Sequence, residues 1–375
     1  DASGKGIIFR PVPRDRDQVF DNVDGLVARA ASLKFAPGRI LRDYDHKIKD
    51  LVGLNINGRE LDKTFLTRLS KNDWIKIAEE VQANLTDSII RNAFKVWPKN
   101  IFDLGGEEIV QKMISRRNDI VKYAVEYYKI LAEKVEIVGS NKVELFEIYR
   151  QENGKTTVKV YKKYSHSKKA LVYSRTFKKD ETKELFIYGL GGDDHFEIFG
   201  NTKSGAKIRV IGGDGNDVFN DISSVKGIAK RTFIYDVTTG TVIKPGKETK
   251  IRTSDRDYQV NEYKRFRFKP DIVAPIVILG FNADDGLIIG GGVSIKKQGW
   301  RKTPYSSWQK VSAAYASNTG AIKFDYDADF NHLIKKWSLF VNAHVLAPNN
   351  STNFYGLGNE TVALDPTSEY FQLNF

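Results

Sequence analysis

The 375 residues are 41% hydrophobic and 28% charged, a balance that supports folded cores and excludes wholesale disorder. At roughly 150 residues per domain, the length predicts two or three domains. The lack of cysteine excludes disulfide scaffolds, cysteine–zinc sites, iron–sulfur clusters and thiol catalysis, and leaves the compartment open. The net charge of +12 is uneven: residues 1–270 carry 51 basic and 38 acidic side chains, and residues 271–375 carry 8 and 9. A basic body of this kind suits anionic lipid, phosphate-bearing polymers or nucleic acid, or forms a well-solvated lysine-rich surface. No run approaches 18 consecutive apolar residues, so no membrane-spanning helix is predicted. The opening Asp1-Ala2-Ser3-Gly4, with Met113 as the sole methionine, is the start expected of a processed chain or a fragment, and no signal peptide is visible in it.

Three textures follow one another. Residues 1–60 are irregular, with Pro11, Pro13, Pro37 and the turn pair Asn57-Gly58. Residues 61–135 read as a helical bundle or connector. Leu61, Phe65, Leu66 and Leu69 recur at helical spacing; a second helix is expected after Asn72 as N-cap, with a restart at Thr86-Asp87 and a stop at Pro98. A long third helix is expected after Gly105-Gly106, striped by Ile109, Met113, Ile120, Ala124, Tyr127 and Leu131. From Val135 the period becomes two, and residues 136–270 read as an all-β domain. Glu152-Asn153-Gly154-Lys155 predicts a hairpin between 143–149 and 156–161, with further strands at 170–177, 184–188, 196–199, 207–211 and 232–235.

Residues 271–375 alternate differently. Ile322, Phe324, Tyr326, Ala328 and Phe330 interleave with Lys323, Asp325, Asp327 and Asp329, which makes one face apolar and the other charged. Trp337, Leu339, Val341, Ala343 and Val345 continue the pattern. Segments of about ten residues of this kind are the mark of a transmembrane β-barrel. Six are expected, at 272–282, 287–297, 306–317, 321–331, 336–346 and 369–375. Bacterial barrels need about eight or more strands, so the expectation is an unfinished barrel. The predicted fold class is α+β and multidomain: helical connector, all-β middle domain, then the first strands of an antiparallel transmembrane barrel.

Asn282-Ala283-Asp284-Asp285-Gly286-Leu287, Gly290-Gly291-Gly292 and Asn353-Phe354-Tyr355-Gly356-Leu357-Gly358-Asn359-Glu360-Thr361 resemble the opening strands of BamA-type surface-antigen barrels. With Arg10-Pro11-Val12-Pro13-Arg14-Asp15-Arg16-Asp17-Gln18-Val19-Phe20, Asn57-Gly58-Arg59-Glu60-Leu61-Asp62 and Leu85-Thr86-Asp87, most of the chain resembles the connector and barrel start of outer-membrane proteins that fuse a calcineurin-like metallophosphoesterase to such a barrel. The resemblance implies a surface or periplasmic module in the outer membrane of a Gram-negative bacterium, anchored by a barrel of about sixteen strands. Outer-membrane lipid and other envelope proteins are the implied partners, and nucleic acid ranks below them. The phosphoesterase signature itself is absent, and Gly192-Asp193-Asp194-His195 imitates only one piece of it. Phosphoester hydrolysis would belong to a domain before Asp1, and no catalytic residue transfers to this chain.

Three motifs carry candidate chemistry. Gly212-Gly213-Asp214-Gly215-Asn216-Asp217-Val218-Phe219-Asn220 fits the calcium-binding β-roll pattern, with a degenerate copy 21 residues earlier at Gly191-Gly192-Asp193-Asp194. Asp214, Asn216, Asp217, Asp193 and Asp194 are therefore candidate ligands for calcium or another divalent metal. The alternative is two Gly-Asp turns between strands of a sheet or short solenoid. Asp15 and Asp17, set among Arg14 and Arg16, are a candidate divalent-metal pair, or else a structural ion-pair knot. Lys264, Arg265, Arg267 and Lys269, alternating with Phe266 and Phe268, suit anionic headgroups at a membrane edge, or a strand with one buried face. Two other functions stay in play: a soluble calcium- or polymer-binding β module, and part of a metal-dependent phosphotransfer or hydrolase site completed by an upstream segment.

Overall fold

The computed structural model describes residues 19–36, 38–163, 169–257, 259–265, 269–283, 285–334 and 337–347, with the backbone of two short strands beyond. The described residues form an α+β protein in two units. Unit 1 comprises 19–24 and 40–265, and unit 2 comprises 25–39 and the residues from 269 onward.

Seven helices occur among the described residues. Helix α1 (Leu26–Ala31) belongs to unit 2; α2 (Leu51–Asn55), α3 (Arg59–Phe65), α4 (Lys71–Asn84), α5 (Asp87–Phe94), α6 (Lys99–Asn118) and α7 (Ile120–Ala132) belong to unit 1. Two N-termini follow directly from local chemistry. Ser70 and Asp73 form a reciprocal capping box on α4, so the cap is Ser70 and the expected Asn72 lies inside the helix. Thr86 accepts the Ile89 N–H at 3.3 Å and starts α5 where expected. The predicted third helix is two: α6 begins ahead of Gly105, kinks at it and ends at Asp119, where α7 starts. Ile90, Phe94 and Val110 are buried together, with Phe20, Trp97 and Met113 packed on them.

The middle of unit 1 is a parallel β-solenoid, a topology that alternation alone cannot distinguish from antiparallel sheets. Its strands are β1 (Lys134–Val138), β2 (Glu144–Arg150), β3 (Thr156–Lys163), β4 (Lys169–Phe177), β5 (Glu184–Gly191), β6 (His195–Phe199), β7 (Asn201–Thr202), β8 (Lys207–Asp214), β9 (Val218–Asp221), β10 (Ser224–Val225), β11 (Thr232–Tyr235), β12 (Val242–Lys244) and β13 (Thr249–Ile251). One wall is β1-β5-β8-β11-β13, parallel throughout; in the other, β2, β6, β9 and β12 are parallel neighbours. The Asn153-Gly154 hairpin is present as β3 with β2, and β4 extends it, so these two strands form an antiparallel excursion from the first coil.

Stacking places like on like. Phe146, Phe196 and Phe219 lie in consecutive coils, fully buried, with ring centroids 4.6 and 4.7 Å apart. Ile187, Val210 and Ile234 form a second buried column. α7 is tied to the solenoid by hydrogen bonds: the Tyr128 hydroxyl donates to Glu181 at 2.7 Å, and the Arg175 guanidinium donates to that hydroxyl at 3.2 Å.

Unit 2 is built on five antiparallel strands in sequence order: β14 (Ile272–Asn282), β15 (Gly286–Gly299), β16 (Lys302–Ala316), β17 (Ile322–Ile334) and β18 (Trp337–Ala347). β19 (Ser351–Asn353) and β20 (Gln372–Asn374) pair with each other. The first five expected strands are present to within a few residues, and of the sixth, 369–375, the described residues show only Gln372–Asn374, paired with β19. Their closure into a barrel is not seen among the described residues, where the five strands form an open sheet.

Candidate functional site

The Gly-Asp turns lie at one corner of the solenoid. Register corrects the expected spacing: Leu190 pairs with Gly213 and Gly191 with Asp214, so the coils repeat at 23 residues and the true equivalents are Gly189 with Gly212 and Asp194 with Asp217. The five predicted calcium ligands then separate into two groups. Asp193, Asp214 and Asn216 sit on exposed turns. There the Asn216 N–H donates to the Asp193 carboxylate at 2.9 Å, clipping one turn to the next. Asp194 and Asp217 turn inward and are fully buried.

The inward acids belong to a longer column. In successive coils a glycine is followed five residues later by an acid: Gly139 with Glu144, Gly189 with Asp194, Gly212 with Asp217. The Glu144 N–H donates to Asp194 Oδ1 at 2.8 Å, and the Asp194 N–H donates to Asp217 Oδ1 at 2.8 Å. One coil further the order inverts. Register sets Asp236 in line with the glycines and Thr241 in line with the acids, and the Thr241 hydroxyl donates to Asp236 Oδ2 at 3.0 Å. Asp236, fully buried, also accepts from Asn261 Nδ2 at 2.9 Å and from the Val237 N–H at 2.7 Å. Asp236 and Asn261 are site residues that motif reading misses, because neither belongs to a Gly-Gly-Asp pattern; the only signal is the 24-residue step from Gly212 to Asp236.

The glycines are there because the carboxyls occupy the space of their missing side chains. A Cβ on Gly189 would lie 2.3 Å from both Asp194 Oδ2 and the Gly212 carbonyl oxygen. One on Gly212 would lie 2.3 Å from Asp217 Oδ2 and 2.4 Å from Asp236 Oδ2. At both points hydrogen-bond acceptors converge. Asp194 Oδ2, Asp217 Oδ2 and Asn261 Oδ1 are buried without a donor.

Electrostatics follow from that crowding. Burial, then neighbouring acids, push Asp194 up to about 8 and Asp217 to about 7, and burial raises Asp236 as well. The charges acting on Asp194 are those of Glu144, Asp217 and Asp193, all negative. The other end of β2 is built differently. Arg150 is fully buried there, donates to the Ala206 and Arg231 carbonyls and to Thr232 Oγ1 at 3.0–3.2 Å, and feels Asp221 and Glu248. Charge is compensated at that end and accumulated at the acid column. Among the described residues no three His, Cys, Asp or Glu side chains already close on one point at metal-ligating distance; the column presents its carboxyls in successive pairs.

A second candidate site is the sheet of unit 2. Val273, Val277, Leu279 and Phe281 of β14 share a face with Leu287 and Ile289 of β15, Val311 and Tyr315 of β16, Ile322 and Phe324 of β17, and Leu339 and Val345 of β18, by register and alternation. All of these are exposed, Val277 at 83% and Phe281 at 78%. The other face carries polar partners: Lys310 with Asp327 at 3.6 Å, His344 with Asp325, and Asn342 with Asp327. Of the remaining predicted residues, the described ones (Lys264, Arg265 and Lys269) stand on exposed positions. Lys264 pairs with Glu262 at 2.8 Å, and Arg267, Asp15 and Asp17 lie outside the described residues.

Comparison with protein-family models, with curated proteins and with solved structures finds no match.

Proposed function

We propose that this chain is the connector and anchoring part of an outer-membrane protein of a Gram-negative bacterium, in which the strands of unit 2 open a β-barrel and unit 1 is the periplasmic or surface-exposed body. The observation that carries this reading is the exposed apolar face running across five long strands. A soluble protein of this size rarely leaves so continuous an apolar surface uncovered, whereas a barrel wall turns such a face to lipid and the charged face to its lumen. Strand lengths of 11–15 residues meet the length needed to cross a bilayer at a tilt. The resemblance to surface-antigen barrels points the same way, and assigns any phosphoester hydrolysis to a preceding domain, with no catalytic residue here.

Fractionation of the natural host tests the reading. The protein should pellet with outer membranes, resist a carbonate wash, require detergent for release, and shift its SDS gel mobility on heating. Recovery in the soluble fraction without detergent rejects the anchor. It would leave the soluble binding module, which the acid column of the solenoid favours.

A further inference from the structure

We infer that the open last-coil end of the solenoid, residues 222–252, is a docking surface for an anionic lipid layer. Its cations would meet the headgroup phosphates, and the aliphatic side chains set among them would enter the headgroup layer. The inference rests on unit 1 alone and stands whether or not unit 2 enters a membrane.

Charge is the first observation. From Ile222 to Arg252 the chain has seven basic and two acidic residues. Both acids are buried: Asp236 lies in the acid column, and Glu248 acts on the buried Arg150. Lys226, Lys230, Lys244, Lys247, Lys250 and Arg252 are all exposed, so every exposed charge of this coil is positive, where ordinary protein surfaces intersperse the two signs. The fold gathers these cations at one end. β12 and β13 are the last strands of their walls. The turn between them folds back on the loop before β11: the Thr249 hydroxyl donates to Asp221 Oδ2 at 2.6 Å, and Lys230 Nζ donates to the Lys247 carbonyl.

Apolar exposure is the second observation. Ile228 stands fully exposed in the sequence between Lys226 and Lys230, and Val242 and Ile251 are exposed on the strands that carry Lys244 and Lys250. Ile251 is in register with Ile234, a wholly buried core position. It is nevertheless 45% exposed, because among the described residues no further coil stacks on it. A solenoid end ordinarily carries a polar cap; this one keeps aliphatic side chains within a cationic rim. Lysines interleaved with aliphatics are the composition of an interfacial lipid-binding surface. A free phosphate polymer would engage the cations and leave the aliphatic groups in water. A second copy set end to end would oppose like charges. The anionic lipid layer is the occupant that fits both observations.

The test is lysine acetylation of the full chain in bicelles, read residue by residue by mass spectrometry, with the exposed Lys76 of α4 as internal control. Bicelles containing about 30% phosphatidylglycerol should lower labelling of Lys244, Lys247 and Lys250 about tenfold relative to pure phosphatidylcholine and leave Lys76 unchanged. About 0.5 M sodium chloride should remove the difference. Lys244→Ala and Lys250→Ala should each reduce the protection of Lys247 about fivefold, the worth of one cation at an anionic leaflet. Ile228→Ser and Val242→Ser, at exposed positions, should each reduce it about twofold or more. Co-elution of the chain with pure phosphatidylcholine bicelles reports the anchor of unit 2 separately. Equal labelling in the two lipids overturns the inference. Equal protection by sodium polyphosphate without bicelles, with Ile228→Ser and Val242→Ser unchanged, makes the surface a free-phosphate site and the lipid assignment wrong. Protection that grows with protein concentration in the absence of lipid means that a second copy covers the end, and overturns it as well.

Discussion

The solenoid and the sheet of unit 2 use the same two-residue alternation and dispose of it in opposite ways. In the solenoid the apolar positions Phe146, Ile148, Phe196, Ile198 and Phe219 point inward and are wholly buried, while Glu147, Glu197 and Arg209 alternate with the inward positions of their strands. In unit 2 large apolar residues such as Val277, Leu279 and Phe281 are exposed on one face, and Lys310 with Asp327 and His344 with Asp325 pair on the other. Alternation therefore tells a strand from a helix and leaves open which side meets solvent. The decision comes from what closes the structure: coils stacked on coils supply their own interior, while an open sheet with one exposed apolar face needs a cover, which is lipid in the function proposed above.

That contrast breaks most sharply at its aromatic stack. Phe196→Ala should cost about 3–5 kcal/mol, since it empties the middle of three stacked rings; denaturant unfolding of unit 1 measures it. Next in size is a charge on the outward face of the sheet. Leu279→Arg should cost about 2–4 kcal/mol in a barrel wall near mid-bilayer and almost nothing in water, and assembly yield in outer membranes separates the two. Gly212→Ala comes third. Its methyl would press on Asp217 and Asp236 and should cost about 1–3 kcal/mol, read by thermal melting. Ser70→Ala removes half of a capping box outside both sheets and should cost about 1 kcal/mol, a baseline for thermal melts.

The pH response sharpens the comparison within unit 1. Asp194 and Asp217 bind protons more tightly folded than unfolded, so the folded state carries more protons between the ordinary aspartate range and about pH 8. Stability should therefore be greatest at the acid end of that window and fall as pH rises through about 7 to 8. Urea unfolding at pH 5.5 and 8 reads the sign directly.

Much of the architecture is legible in the residues, because the signals are local. Asn153-Gly154 marks its hairpin, Thr86 its cap, and the strands at 272–282 and 232–235 stand where alternation puts them. What escapes is what depends on partners far along the chain. Parallel stacking is invisible to a period of two, and motif alignment on Gly-Gly gives 21 residues where backbone register gives 23. Asp236 is hidden because it stands in a glycine's place, so only the neighbouring coil reveals it as part of the acid column. Asn72 looks like a cap, yet Ser70 takes that role because Asp73 can answer it.

In the proposed function the apolar face of unit 2 meets lipid. Since the chain has no cysteine, single cysteines placed along β17 at Phe324, Asp325, Tyr326 and Asp327 are each unique, and can be probed in native membranes with a water-soluble maleimide and a lipid-soluble one. The account predicts alternation: positions 325 and 327 react with the aqueous reagent, and 324 and 326 only with the lipid-soluble one. Equal aqueous labelling at all four positions would contradict it.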